Sequence, residues 1–270
     1  MCYYISQKVS GYQQIKLADM EAPVGEINHP HAHMHNGFSY KPAVSVIPNE
    51  AEDNIRLVEM EWGFLPKYIT SREQAEKMRR GFKDPVKGFQ PPLTMLNAKS
   101  EELMQPRKVF RDAALKRRCL MLATGFFEWR HMPKFNKKTG EQLKTTSKYP
   151  YHINIKNRPY FFMAGIWQPF TDAATGETIA TTAIVTTEAN PLMRVIHNSK
   201  MRMPTILPDD MAKEWLLGDL SEEQITGLAT YQIPYDEMTA CTIQDNFREL
   251  PEPDEPYIYE DLPDFKLAIN

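Results

Sequence analysis

The chain has 270 residues, 42% of them hydrophobic, and sets 32 Lys+Arg against 35 Asp+Glu for a formal net charge of -3. That is enough apolar material for one large globular core. The charge balance excludes a globally basic nucleic-acid binder, so any anion-attracting surface has to be local. No apolar run reaches the roughly 20 residues of a membrane span, and the N-terminus does not read as a secretory signal. The three cysteines, Cys2, Cys119 and Cys241, are widely spaced and form no CxxC pair. The expectation is a cytoplasmic, monomeric protein without disulfide framework, zinc ribbon or bound cofactor.

In chain order, the first chemical signal is Met1-Cys2. Cysteine is small enough for the initiator Met to be removed, which exposes an amine and a thiol on adjacent carbons. Such a pair captures an aldehyde twice, first as an imine and then as a five-membered thiazolidine. With an α-amino pKa of about 8 against about 10.4 for Lys, its neutral fraction is roughly a hundredfold or more larger. The bland alternative is a small second residue that serves processing only. From Met1 to Val9 the pattern predicts a strand burying Tyr3, Ile5 and Val9. His29, His31, His33 and His35 follow at spacing two. On a strand they would share a face and make a metal site feasible. The Pro30 interruption and the lack of a neighbouring carboxylate or Cys favour a metal-free loop instead.

Ala43 to Ile47 and Ile55 to Trp62 read as paired strands joined by the turn Pro48-Asn49-Glu50. Gly63 and Pro66 then force a turn beside Trp62 and Phe64. With Tyr68, these aromatics either stack on unpaired bases or fill a core. The charged stretch Ser71 to Lys87 predicts a helix and loop; its Arg79 and Arg80 are either solvated or in contact with phosphate. Ser100 is placed to cap a helix running through Phe110, Ala114 and Leu115. Cys119 to Ala123 reads as a buried strand with Cys119 in the core. It leads into Gly125-Phe126-Phe127-Glu128-Trp129, where a carboxylate set between aromatics would be desolvated and its pKa raised into the range useful for proton transfer.

Residues His131 to Lys148 read as a long polar hairpin loop or insertion. Strands are expected at Tyr151–Ile155, Tyr160–Trp167 and Ile179–Thr187, and helices from Pro191 to His197 and from Ser221 to Leu228. A single domain over 1–248 is expected, followed by an acidic, Pro-rich extended tail over 249–270.

Four separated segments therefore hold chemistry: Cys2, Asn97, Glu128 and His197. With Trp62-Gly63-Phe64-Leu65-Pro66, Asn97-Ala98-Lys99-Ser100-Glu101, Gly125 to Trp129, Ala164-Gly165-Ile166-Trp167, Thr186 to Asn190, and Ile196-His197 with Met203-Pro204, they stand in an order that resembles the SRAP (SOS-response-associated peptidase) family over roughly residues 1–208. The resemblance implies an α+β single domain with a barrel-like, mostly antiparallel β core and peripheral helices. It further implies recognition of single-stranded DNA at abasic sites, with Cys2 as nucleophile in a thiazolidine crosslink. Asn97 would then hold the N-terminus or the sugar, Glu128 would shuttle protons, and His197 would protonate the sugar oxygen or stabilise a phosphate. The family is also linked to autoproteolytic exposure of Cys2, for which Met removal suffices here. The chain departs from the family's Cys-Gly-Arg start in having Tyr3-Tyr4, and from its Asn-Ala-Arg in having Lys99, which keeps the charge but not the bidentate geometry. Expected DNA contacts are Lys99, Trp62, Phe64, Tyr68, Arg79 and Arg80. Two other readings stay open: an N-terminal-nucleophile amidohydrolase acting on a small amide, and a non-catalytic single-strand-binding module.

Overall fold

The computed structural model describes residues 2–28 and 31–264. Five strands, Pro42–Asn49, Asn54–Trp62, Arg118–Ala123, Phe161–Thr171 and Thr178–Glu188, close into a barrel. The pairings are antiparallel except where Thr178–Glu188 runs parallel to Asn54–Trp62, with Thr182 opposite Trp62. A second, wholly antiparallel sheet has the order Met238–Thr242, Gln142–Ile155, Gly125–Phe135, Tyr4–Lys8, His31–Asn36. Five α-helices flank these sheets among the described residues. The expected α+β architecture with a mostly antiparallel barrel core is the one the chain adopts.

The strand Arg118–Ala123 explains why its sequence shows no polar alternation. Leu120 and Leu122 pack with Val44, Val46 and Ala164 into a core that Trp215 of the helix Asp209–Leu217 also enters. Met121 and Ala123, on the other face, pack with Cys2, Ile5, Phe126 and Ile153 of the second sheet. A strand buried on both faces reads as a continuous apolar run. The barrel and the second sheet thus share a dry layer, and the first residues of the chain lie in it.

Several local expectations are corrected. The histidine segment is no loop: His31–Asn36 is a strand paired with Tyr4–Lys8, with a register irregularity between Ile5 and Gln7. Backbone pairing with a neighbour far away in sequence overrides its loop-like composition. His29 and Pro30 lie outside the described residues. Ser100 caps no α-helix; Asn97–Lys99 is a short strand, Ser100–Glu102 a 3-10 turn, and the next helix, Arg111–Lys116, begins well downstream. Residues 131–148 are mostly strand, because Gly125–Phe135 and Gln142–Ile155 form one long hairpin with Lys148 opposite His131. Pro48 and Asn49 belong to their strand, leaving the turn to residues 50–53. Beyond residue 249 the acidic segment lies back on the second sheet: Asp254 meets Lys8 at 2.6 Å, Asp261 accepts from the Tyr149 hydroxyl at 2.7 Å, and Arg130 donates to the Pro263 carbonyl at 2.8 Å.

Candidate active site

The strand Gly125–Phe135 alternates faces, so Phe126 and Glu128 turn the same way while Phe127 and Trp129 turn the other. Phe126 belongs to the layer that also holds Cys2, and Phe127 and Trp129 pack around Phe247 on the outer face. Glu128 is thereby inserted at the margin of an apolar layer. Its side chain is 4% exposed and its Oε1 has no partner. Burial raises its pKa from 4.5 to about 8, because low dielectric disfavours the carboxylate. The strand can approach so closely only because residue 125 is glycine: a Cβ there would stand 2.1 Å from His152 Nε2 and 2.6 Å from Asn154 Oδ1.

His197 reaches the same place from a short helix. Asn190 caps Pro191–Ile196 by accepting from the Met193 amide at 3.0 Å, and Pro191 occupies the first turn, where its missing N–H costs nothing. His197 ends the helix, with its amide on the Met193 carbonyl at 2.7 Å. Its Nδ1 lies 2.8 Å from the Arg202 carbonyl. A carbonyl only accepts, so the neutral ring carries its proton on Nδ1 and turns an Nε2 lone pair toward Glu128 Oε2, 3.5 Å away. Burial lowers the imidazole to about 4. Near neutral pH the pair is therefore a carboxylic acid facing a neutral imidazole rather than an ion pair. Arg202, which supplies that carbonyl, is held by Glu101 at 2.6 and 3.0 Å and also donates to the Thr186 carbonyl. This ties the His197 turn to the segment carrying Asn97.

Asn97 sits on the strand Asn97–Lys99, parallel to Thr178–Glu188 with Ile184 as its partner. Its Nδ2 donates to the Cys2 carbonyl at 2.9 Å, while its buried Oδ1 has no partner. Cys2 is fully buried and donates its thiol to the Tyr4 carbonyl at 3.7 Å. Burial first, and Glu128 second, push that thiol far above its ordinary range, so it is a protonated thiol at neutral pH. The four residues singled out in the sequence, Cys2, Asn97, Glu128 and His197, are thus brought together. Among the described residues two acceptors of this group, Asn97 Oδ1 and Glu128 Oε1, have no hydrogen-bond partner.

Glu128 and His197 open onto a cleft of about 370 Å³ that is also walled by Tyr3, Trp129, His131, Lys148, Ser199, Lys200 and Arg248. Of the expected DNA contacts none lines this cleft. Trp62 is buried with its indole N–H on the Leu96 carbonyl at 2.9 Å, and Phe64 is buried against Phe110; neither offers a ring face to a base. Arg79 is buried and bound to Glu61, whereas Tyr68 and Arg80 are exposed and Lys99 pairs with Glu102 at 3.2 Å. The cleft residues beyond Glu128 and His197 escaped the sequence reading. The signal that would have found Lys148 is the hairpin register setting it opposite His131; nothing in the sequence marks Arg248.

One further group could hold a cation. His33 Nδ1, Glu252 and Asp254 place ligand atoms within 4.8 Å of one another. The Lys8 ammonium already stands 2.6 Å from Asp254 and 4.0 Å from Glu252, which offsets the Asp254 charge without a metal.

A closed barrel joined to an antiparallel sheet, with Cys2, Asn97, Glu128 and His197 at the junction, defines an α+β class of protein that carries a carboxyl group and an imidazole beside a thiol. The chain belongs to the SOS response associated peptidase (SRAP) family, whose model matches residues 1–249. It is 29% identical over 189 residues to abasic site processing protein YoqW of Bacillus subtilis (strain 168), a match covering 69% of each chain. It is 24% identical over 179 residues to abasic site processing protein HMCES of Xenopus tropicalis, covering 59% of this chain and 44% of that one. A crystal structure of a protein from Bacteroides thetaiotaomicron superposes with a TM-score of 0.71 at 25% identity, over 95% of this chain and 100% of the other. Among the described residues no helix is long and apolar enough to cross a membrane.

Proposed function

We propose that this protein senses abasic sites in single-stranded DNA and crosslinks to them covalently through Cys2, once Met1 has been removed. The observation that carries this reading is the meeting of Cys2, Asn97, Glu128 and His197 in one buried site. The relatives described above are abasic site processing proteins, which points to the same substrate.

The ring-opened sugar of an abasic site presents an aldehyde. The Cys2 amine attacks its carbon, forming the N–C bond, and the carbonyl oxygen takes a proton from Glu128. Loss of one water, helped by a second proton, gives the imine. The Cys2 thiol then adds across the C=N bond: sulfur bonds to carbon, and the thiol proton passes through Glu128 to nitrogen. One water is released overall. A carboxyl group with a pKa of about 8 both donates and accepts near neutral pH, and the His197 Nε2 lone pair stores the proton between steps. Asn97 anchors the Cys2 carbonyl and leaves its Oδ1 for the freed amine. The protein acts as a cytoplasmic monomer in this reading and needs no cofactor.

The rival reading, an N-terminal-nucleophile amidohydrolase, predicts instead a transient acyl-enzyme and turnover of a small amide with no dependence on DNA. The test is to incubate the Met-processed protein with single-stranded DNA carrying one abasic site and to look for a heat- and SDS-stable shifted band. The expected result is a band present in the wild type and absent in Cys2→Ala. An equal band in Cys2→Ala would sink the reading.

A further inference from the structure

We propose that Arg248, with Lys148 and Lys200, forms a phosphate-binding rim on the cleft that engages the phosphodiesters flanking the reacting sugar; this rests on the DNA reading above. The three cations come from separate parts of the chain and line the same cleft as Glu128 and His197. Elsewhere the guanidinium groups are largely spent on carboxylates: Arg72 and Arg79 on Glu61, Arg117 on Asp112, Arg158 on Asp209 and Arg202 on Glu101. Among the described residues no carboxylate pairs with Arg248, Lys148 or Lys200. In a chain of net charge -3, unpaired positive charge gathered at the mouth of one cleft is a local attractor for an anion.

Arg248 is also prepared for this role. Its guanidinium lies 5.7 Å from the ring centre of Tyr4, 5.9 Å from Trp129 and 5.6 Å from Phe247. Phe247 is buried and stacks on Phe127 at 5.1 Å with 17° between the planes, so the backbone carrying Arg248 is anchored in the second sheet. Aromatic seating restrains the side chain while the N–H fork stays available, and that fork matches a phosphate bidentately. The one carboxyl group lining the cleft, Glu128, is largely protonated at neutral pH and does not repel the phosphate.

The probe is a short single-stranded DNA containing a tetrahydrofuran abasic analogue, which has no aldehyde and reports binding alone. Affinity is measured across a salt series for the wild type, Arg248→Ala, Arg248→Lys and, as a distant exposed control, Lys138→Ala. Arg248→Ala should weaken binding about tenfold at low salt and flatten the plot of log affinity against log salt by about 0.7, the value for one phosphate contact on a single strand. Arg248→Lys should keep the slope and recover only part of the affinity. An unchanged affinity and slope in Arg248→Ala, or an equal loss in Lys138→Ala, overturns the rim. The two readings fail separately. Cys2-dependent crosslinking with a normal Arg248→Ala slope removes the rim alone, whereas a flattened slope without any wild-type crosslink removes the covalent chemistry alone.

Discussion

Two glutamates beside aromatic residues, Glu61 half-buried and Glu128 buried, meet opposite treatment. Glu61 ends a barrel strand, 14% exposed, and is met by Arg79 at 2.5 Å and Arg72 at 2.8 Å. Arg79 is itself held under the Tyr40 ring at 4.0 Å and donates to the Gly63 carbonyl at 3.0 Å. Glu128 lies in the long hairpin of the second sheet and, among the described residues, faces a neutral imidazole, with one oxygen lacking a hydrogen-bond partner. The first region uses charge to cross-brace the barrel against the helix Arg72–Arg80. The second forgoes compensation, so its carboxyl group keeps a proton to give. Burial raises the Glu128 pKa, whereas Glu61, less deeply buried, is met by two guanidinium groups.

The sharpest way to break this contrast is to uncover the compensated site. Arg79→Ala leaves the half-buried Glu61 with half its partners and should cost about 3 kcal/mol in chemical denaturation; a loss below about 1 kcal/mol would mean that Glu61 is not held by charge. Next comes Glu128→Gln, which should slow crosslinking about a hundredfold in single-turnover gel assays. The same variant tests the sign of the pH effect. Burial raises the folded pKa of Glu128 above its ordinary 4.5 to about 8, so the stability it contributes is complete below about 4.5 and is lost as pH rises through about 8. The wild type should therefore lose melting temperature relative to Glu128→Gln between pH 5 and pH 8, and parallel curves would contradict the raised pKa. Gly125→Ala should cost about 2 kcal/mol through forced displacement of His152, measured by thermal unfolding. The smallest effect is expected for Glu101→Gln, which loosens Arg202 behind His197. At a half-exposed pair it should cost about 0.5 kcal/mol in stability yet slow crosslinking several-fold, and a purely structural role would leave the rate alone.

The sequence reading reached Cys2 and Glu128 through local chemistry, an N-terminal thiol and a carboxylate between aromatics, and Asn97 and His197 through their place in the ordered family motifs. It misjudged His31–Asn36 because strand pairing with Tyr4–Lys8 is a decision of the neighbour, and Ser100 because capping depends on where the following backbone goes. Trp62 and Phe64, aromatics of a kind that more often fills a core than stacks on bases, are both buried. Position 4 is a case of its own. Against the family's pattern Tyr4 reads as a lost arginine, yet in three dimensions its ring helps to seat Arg248.

By itself the sequence determined the strand-rich periodicity and the doubly buried run at Arg118–Ala123, since each follows from side-chain type and near-neighbour spacing; Cys2 and Glu128 stand out by their own chemistry, and Asn97 and His197 through the ordered family motifs. Only the tertiary structure decided that Glu128 is neutral while Glu61 is paired, and that the cleft is walled by Lys148, Lys200 and Arg248. Burial and charge compensation depend on atoms brought together from distant segments, and no local pattern in the chain encodes which segments those are.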